Sequence, residues 1–293
     1  MSDAATAVFQ TEGQYRASDG ANLHSYRWSS SETDASAKAI VVVMHGYGEH
    51  CGRYHEFAQF LVRAGYLACG FDARGHGQSP GQRGHIAHYE RYVDDLHGFL
   101  LEQRRRHPST PLVLLGHSNG GLIALRTVQT RRPLPDALIV VSPLVALRPK
   151  HKPVPRWVAV ILSSFASRLP LPSGLSREEL THDTKILDVH RNDKLNHGRS
   201  TPGWYVAATG AMQEVFASLD TIRLPVLAIE ADSDPIVLPR AITRLYDGIA
   251  STDKELVVCK NSFHEVLNEV GRDETYRCIV TWLAKHLRSV VAA

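Results

Sequence analysis

The sequence is poor in cysteine and in net charge, and each shortage excludes a class of protein. Its 293 residues include four cysteines, and none has the C-x-x-C spacing of a zinc site or redox motif. The 33 basic and 30 acidic residues nearly cancel, which leaves a net charge of +3, and no long basic block occurs. We therefore expect reduced thiols and no nucleic-acid partner.

Long apolar runs are also missing. No stretch of about 18 uncharged apolar residues occurs, so no membrane-spanning helix is expected. Residues 1–6 lack the basic and apolar regions of a secretory leader, which favours a cytoplasmic protein. The 16 histidines show no metal-ligand spacing, since His264-Glu265 is not followed by the second histidine of H-E-x-x-H. Neither a metal nor an organic cofactor is expected.

The sequence does contain material for a large core, because 43% of its residues are hydrophobic. The turn at Asp19-Gly20 predicts an antiparallel hairpin at the start of the chain. Afterwards, short apolar runs alternate with segments of helical spacing, which predicts an α/β fold with a mostly parallel central sheet and helices on both faces. The predicted strands are 39–44, 67–71, 112–115, 137–142, 225–230 and 255–259, and the predicted helices are 54–64, 89–106, 122–129, 204–219 and 266–287.

One connection is too long for a plain crossover between neighbouring strands, the one that joins the predicted strands 137–142 and 225–230. We interpret residues 143–205 as an inserted helical cap, hereafter the cap segment. The core then consists of an amino-terminal part, residues 1–142, and a carboxy-terminal part, residues 206–293.

The cap segment carries an apolar stripe with helical spacing, because Trp157, Ile161 and Phe165 lie four residues apart. Two interpretations are open. The stripe can pack on the core beneath solvated charges, or it can form a surface for transient contact with anionic membranes. The second interpretation depends on flanking basic residues, which are Arg148, Lys150, Lys152, Arg156 and Arg168.

A glycine-flanked serine, Ser118, stands between a predicted strand and a predicted helix. The pattern G-x-S-x-G is formed by Gly116, Ser118 and Gly120, and it is typical of a nucleophile elbow. Glycine is needed two positions to either side because strand and helix pass closely at so sharp a turn. The alternative is an ordinary helix N-cap serine in a glycine-rich turn.

A serine hydroxyl needs a base to remove its proton and a third group to orient that base. His264 follows the last predicted strand, at the sheet edge where catalytic groups of parallel sheets lie. It is therefore the candidate base, although a solvent-exposed loop histidine is the alternative. The candidate acids are Asp232 and Asp234, which both follow the strand 225–230, and position alone hardly separates them.

Attack on a carbonyl creates an oxyanion, which requires preorganised N–H donors. One donor follows the nucleophile and is the backbone N–H of Asn119. The second is expected in the loop after the first core strand, residues 45–50, hereafter the oxyanion loop, where Tyr47 N–H is the candidate. A tight turn that simply closes the strand is compatible with this role.

Several motifs together resemble the monoacylglycerol lipase and lysophospholipase branch of the serine α/β-hydrolases. These are His-Gly-Tyr-Gly-Glu-His at residues 45–50 with Arg53-Tyr54, the glycine-rich loop 72–79, and the elbow. The resemblance covers nearly the whole chain. It implies the α/β-hydrolase fold, and it favours Asp234 over Asp232 as the acid. Two departures are Tyr47, in a position often held by a small residue, and Asn119, in a position often held by methionine or glutamine.

The resemblance implies a serine hydrolase that cleaves carboxylic esters of single-chain lipids, such as a monoacylglycerol or a lysophospholipid, through an acyl-enzyme. The runner-up is a short-chain carboxylesterase or a proline-releasing serine peptidase, because the same triad cleaves esters and amides. A non-catalytic ligand receptor on the same fold is the remote alternative. The sequence does not indicate an oligomeric state.

Overall fold

The computed structural model describes residues 7–31, 37–151 and 155–290, and for residues 288–290 it describes the backbone alone. Lys152, one of the predicted basic flanking residues, lies outside the described residues, as do residues 1–6, on which the expectation about a leader depends. Within the described residues, the strands are β1 (Phe9–Arg16), β2 (Asn22–Ser29), β3 (Ile40–Met44), β4 (Leu67–Phe71), β5 (Leu112–His117), β6 (Ala137–Val141), β7 (Leu171–Pro172), β8 (Arg199–Ser200), β9 (Val226–Ala231) and β10 (Lys254–Cys259).

The helices in the described residues are α1 (His55–Arg63), α2 (Glu90–Arg106), α3 (Asn119–Thr130), α4 (Arg156–Ala166), α5 (Thr184–Asn192), α6 (Pro202–Ala217), α7 (Pro239–Gly248) and α8 (Arg272–Val290). Every strand predicted from the sequence is present. The predicted helix at 266–287 is wrong at its start, because Gly271 has a φ of +82° and only a short 3-10 turn precedes it. Helices α5 and α7 were not predicted.

The main sheet has the order β1-β2-β4-β3-β5-β6-β9-β10. Strand β2 pairs antiparallel with β1 on one side and with β4 on the other, and the remaining neighbours pair in parallel. This confirms the predicted mostly parallel sheet. From β3 the chain moves to β4 on one side and then returns to β5 on the other, so the loops after β3 and β5 leave the same edge beside each other.

Helices cover both faces of the sheet, as predicted. Side chains of α2, α3 and α7 form one buried apolar cluster with one face of the strands. Side chains of α1 and α8 form a second cluster with the opposite face. The central strands are buried throughout because they pack on both sides: all residues of β3, β4, β5 and β6 are buried.

The cap segment follows β6 and precedes most of α6, which leads to β9. It contains α4, α5 and the small antiparallel pair β7–β8, and it ends within the first turn of α6. Helix α6 packs against α3 of the core and against α4. No helix in the described ranges has the combined length and apolar character needed to cross a bilayer.

Candidate active site

The elbow at Ser118 has the strained geometry that its glycines predict. Ser118 has a φ of 51° and a ψ of −118°, which is an unusual backbone conformation for a residue with a side chain. A β-carbon added to Gly116 would lie 2.4 Å from the carbonyl oxygen of Gly120, and one added to Gly120 would lie 2.0 Å from that of Met44. Only glycine fits at either position.

The structure brings Ser118, His264 and Asp234 together in one hydrogen-bonded relay. Nδ1 of His264 donates to Oδ2 of Asp234 at 2.7 Å, and this leaves Nε2 as the acceptor for the Ser118 hydroxyl at 2.8 Å. His264 and Asp234 are almost inaccessible to solvent, with 3% and 0% of their surface exposed. His264 is therefore not a solvent-exposed loop histidine, which was the alternative to its role as base.

The choice between the two aspartates, which position alone left open, is resolved as a matter of geometry. Besides His264, Asp234 accepts backbone N–H groups from Ile236 and Val237 through Oδ1, so its carboxylate is fixed in a buried turn. Asp232 instead accepts from the neighbouring Ser233 hydroxyl and does not contact His264. Burial favours a higher pKa for Asp234, but the charge and hydrogen bond of His264 lower it overall, which keeps this carboxylate ionised.

The pKa of His264 is raised above its ordinary 6.5. Burial alone would lower it, but the carboxylates of Asp234, Glu265 and Glu49 more than offset that effect. The neighbouring ring of His117 has its centroid 5.0 Å from that of His264. Burial and the proximity of His264 lower the pKa of His117 to about 4, so His117 stays neutral when His264 titrates.

The oxyanion loop lies against the elbow. The backbone N–H of Gly46 is already engaged, because it donates to Oε1 of Glu49 at 2.5 Å. Tyr47, the next residue, lines the pocket above Ser118. Asn119, which departs from the family pattern, does not make the pocket wall polar. Its side chain is buried, accepts from the Tyr89 hydroxyl at 2.7 Å and is not among the described residues that line the pocket.

A buried ion cluster of Glu49, Arg53 and Glu265 supports these two loops, and sequence reasoning assigned it no role. Arg53 binds Glu265 through two parallel hydrogen bonds of 2.8 Å and also donates to Glu49. Side-chain exposure is 8% for Arg53, 4% for Glu49 and 5% for Glu265. Because Glu49 holds the oxyanion loop and Glu265 follows His264, Arg53 ties the two loops together.

The cluster is ionised despite its burial. Burial favours neutral carboxyl groups, but the Arg53 guanidinium lowers the pKa of both Glu49 and Glu265. Together they carry one more negative than positive charge near His264. Glu49 and Arg53 did belong to the motif that carried the family resemblance. Glu265 directly follows the predicted base His264, a position that indicates closeness to the site but not the pairing with Arg53.

The relay opens into a single pocket whose walls are largely apolar. The cap segment supplies most of one wall and the core supplies the floor. Its polar lining residues include His117, Glu49 and Glu265 around the relay, and His151, Ser173, Ser200 and Thr201 from the cap segment. The described apolar lining residues are Leu144, Leu147, Ala159, Leu162, Leu171, Pro172, Leu175, Leu180, Pro202, Trp204, Tyr205 and Ile236.

The sheet order, the elbow after β5 and the Ser118–His264–Asp234 relay define a serine hydrolase of the α/β-hydrolase fold. Residues 35–271 match the family described as Serine aminopeptidase, S33, and the chain belongs to that family.

Similar proteins include enzymes named for lipid hydrolysis. The chain is 30% identical over 255 residues to a monoacylglycerol lipase of Mycolicibacterium smegmatis, a match that covers 87% of this chain and 91% of the relative. It is 27% identical over 241 residues to Phospholipase YtpA of Bacillus subtilis, which covers 82% and 92%. The crystal structure of a monoacylglycerol lipase from Paleococcus ferrophilus superposes with a TM-score of 0.80 at 28% identity, over 90% of this chain and 99% of that chain. These matches confirm the resemblance inferred from the motifs.

Proposed function

We propose that this chain hydrolyses the carboxylic ester of a single-chain lipid, such as a monoacylglycerol or a lysophospholipid, through an acyl-enzyme on Ser118. The observation that carries the proposal is the Ser118–His264–Asp234 relay, which opens into a largely apolar pocket. An acyl chain fits such walls, because each buried methylene contributes roughly 0.8 kcal/mol. The names of the relatives support the same substrate class.

In the proposed mechanism, Nε2 of His264 accepts the Ser118 proton as Oγ attacks the ester carbonyl. The Asp234 carboxylate keeps Nδ1 protonated and stabilises the imidazolium that forms. The backbone N–H groups of Tyr47 and Asn119 are the proposed donors to the oxyanion. The imidazolium then protonates the leaving alcohol, and a water activated by His264 releases the acid from Ser118.

The peptidase alternative must be compared with the site, because the family description names an aminopeptidase. Such an enzyme needs a carboxylate free to bind the substrate's terminal ammonium. Among the described lining residues, the carboxylates are Glu49 and Glu265, and both already accept from Arg53. This pairing supports the lipid ester over a free amino terminus.

The test combines active-site labelling with a substrate panel. A fluorophosphonate probe is expected to label the wild type and not Ser118→Ala. The panel contains monoacylglycerols, a lysophospholipid, short p-nitrophenyl esters and a prolyl amide. We expect the highest kcat/KM with a long-chain single-acyl ester. A preference for short esters or for the amide would support the runner-up functions instead, and absent labelling with tight lipid binding would support the receptor.

The cap segment is proposed to seat this enzyme transiently on anionic membrane surfaces. The apolar stripe does not pack on the core: Trp157 is 68% exposed, Ile161 52% and Phe165 90%. Arg156 begins the same helix and Arg168 follows it, and both are exposed. An exposed aromatic stripe beside basic residues is typical of helices that lie in a membrane interface.

Vesicle co-sedimentation tests this contact. Wild-type protein is expected to bind vesicles with anionic lipid better than neutral ones, and Phe165→Ser is expected to weaken that binding. Phe9→Ser is the matched control, because Phe9 is also exposed, at 48%, but lies on the edge strand β1. Binding that ignores both anionic lipid content and Phe165→Ser would contradict the proposal.

A further inference from the structure

The oxyanion loop is fastened to the end of the cap segment, residues 193–200, by contacts from consecutive parts of the loop. The Tyr47 hydroxyl donates to the carbonyl oxygen of Arg199 at 2.7 Å. The carbonyl oxygen of Gly48 accepts from the backbone N–H of His197 at 2.8 Å. Nε2 of His50 donates to the Asp193 carboxylate at 2.7 Å. The loop and this part of the cap segment therefore form one hydrogen-bonded unit.

The side chain of Tyr47 is held at both its ring and its hydroxyl. Its ring lies on Trp204 with centroids 3.9 Å apart and meets the ring of His197 edge-on at 5.5 Å. Burial raises the pKa of the Tyr47 hydroxyl, so the hydroxyl stays protonated and donates near neutral pH. Tyr47 is therefore a rigid connection between the loop and the cap segment, because its aromatic side chain has few rotamers and its hydroxyl is hydrogen-bonded.

Two glycines show how closely the cap segment approaches. A β-carbon on Gly48, which has a φ of +77°, would lie 2.6 Å from the carbonyl oxygen of His197. A β-carbon on Gly84 would lie 2.3 Å from the carbonyl oxygen of Arg199 and 2.9 Å from the Tyr47 hydroxyl. The backbone of the cap segment thus fits between two glycines of the core, with the Tyr47 hydroxyl beside it.

We propose that Tyr47 is a positioning residue whose hydroxyl, anchored on Arg199 of the cap segment, holds its own backbone N–H where the oxyanion forms. This inference rests on the proposed function, because it assigns the side chain a part in the same reaction. The position of the cap segment and the position of the oxyanion donor are then coupled through Tyr47. Oxyanion donors act through preorganisation, so a loosened donor costs more in the transition state than in substrate binding.

Tyr47→Phe tests the coupling, because it removes the hydroxyl and keeps the ring. Tyr246→Phe is the matched control, since the Tyr246 hydroxyl also donates to a backbone carbonyl, that of Lys254, away from the pocket. With a soluble p-nitrophenyl ester, Tyr47→Phe is expected to lower kcat by about 3- to 10-fold with little change in KM, the range of one neutral hydrogen bond. A boronic acid that forms a tetrahedral adduct should lose affinity in parallel.

Amide hydrogen exchange provides the arm that does not depend on activity. In Tyr47→Phe, exchange is expected to rise together at residues 46–50 and 193–200, and Asp193→Ala, which removes the acceptor for His50 on the cap side, should give the same pattern. Unchanged kcat and boronic acid affinity would overturn the proposal, as would a higher KM alone. If the wild type is not labelled by the fluorophosphonate, the proposed function fails, and the joint rise in exchange still decides whether the loop and the cap segment are coupled.

Discussion

Strand β5 and helix α4 are both rich in apolar residues, yet they stand at opposite extremes of burial. All six residues of β5 are buried, whereas in α4 only Ala159 is buried. The strand ends at Ser118, where the chemistry requires positions held to a fraction of an ångström. The helix forms the outer part of the pocket wall through Leu162 and faces outward with Trp157 and Phe165.

Apolar residues therefore serve two purposes in this chain. In the sheet, apolar residues hold the catalytic loops in place, and in α4 most of them are exposed at the surface or line the pocket. Hydrogen bonds fasten the cap segment to the core near residues 146–151, 180–183 and 193–200, away from the outward face of α4. Substitutions in the two regions should therefore have very different effects.

The largest effect is expected on the floor of the pocket. Ser118→Ala removes the oxygen that donates to His264 and should lower turnover roughly 10⁴- to 10⁶-fold. Steady-state hydrolysis of a p-nitrophenyl ester measures the loss. The thermal unfolding midpoint should hardly move, because the strained backbone is unchanged. Retention of most of the activity would refute the assignment of Ser118 as nucleophile.

The two aspartates after β9 provide a matched pair. Asp234→Asn removes the carboxylate that orients His264, and kcat is expected to fall by about 10⁴-fold. Asp232→Asn alters a partly exposed neighbour that does not contact His264, so its kcat should stay within a few-fold of wild type. Equal losses in both variants would mean that the relay seen in the structure is not the one used in catalysis.

Stability should separate the strand from the helix. Leu114→Ala opens a cavity at a residue with 0% exposure and is expected to lower the free energy of unfolding by about 2 to 5 kcal/mol. Phe165→Ala changes a larger side chain that is 90% exposed, and the expected change is within about 0.5 kcal/mol. Denaturant unfolding of both variants is the measurement. A large loss from Phe165→Ala would show that α4 packs more tightly than its exposure indicates.

The smallest expected effect is a shift in pH dependence. His264 must be neutral to act as base, so kcat/KM should fall as pH drops through its pKa, which lies above 6.5. Glu265→Gln removes a negative charge that stabilises the imidazolium, and the midpoint should therefore move to lower pH.

Glu255→Gln is the control for this shift, because Glu255 is an exposed glutamate on β10 outside the pocket lining. Its profile should match that of the wild type. A Glu265→Gln profile that loses amplitude without any change in midpoint would show that the buried ion cluster holds geometry and does not tune the charge on His264.

Much of the fold could be predicted because its signals are local. Short apolar runs identified β3, β4, β5, β6 and β9, and the Asp19-Gly20 turn identified the hairpin. The helix predicted at 266–287 begins too early, because Gly271 adopts a left-handed conformation and separates the short turn before it from α8. Helix α5 was missed because its segment is mostly polar, and its amino terminus is instead stabilised by a cap from Asp183 to the backbone of Lys185 and Ile186.

The serine elbow, the strand-end position of His264 and the alternation of strands and helices follow from local sequence, because spacing and turn chemistry depend on neighbouring residues. The folded chain was needed to show which aspartate contacts His264, which way the apolar stripe of α4 faces, and that Arg53 joins the loops of Glu49 and Glu265. These outcomes depend on groups distant in sequence that meet in space. Burial also gives their charges and hydrogen bonds a strength that no local pattern encodes.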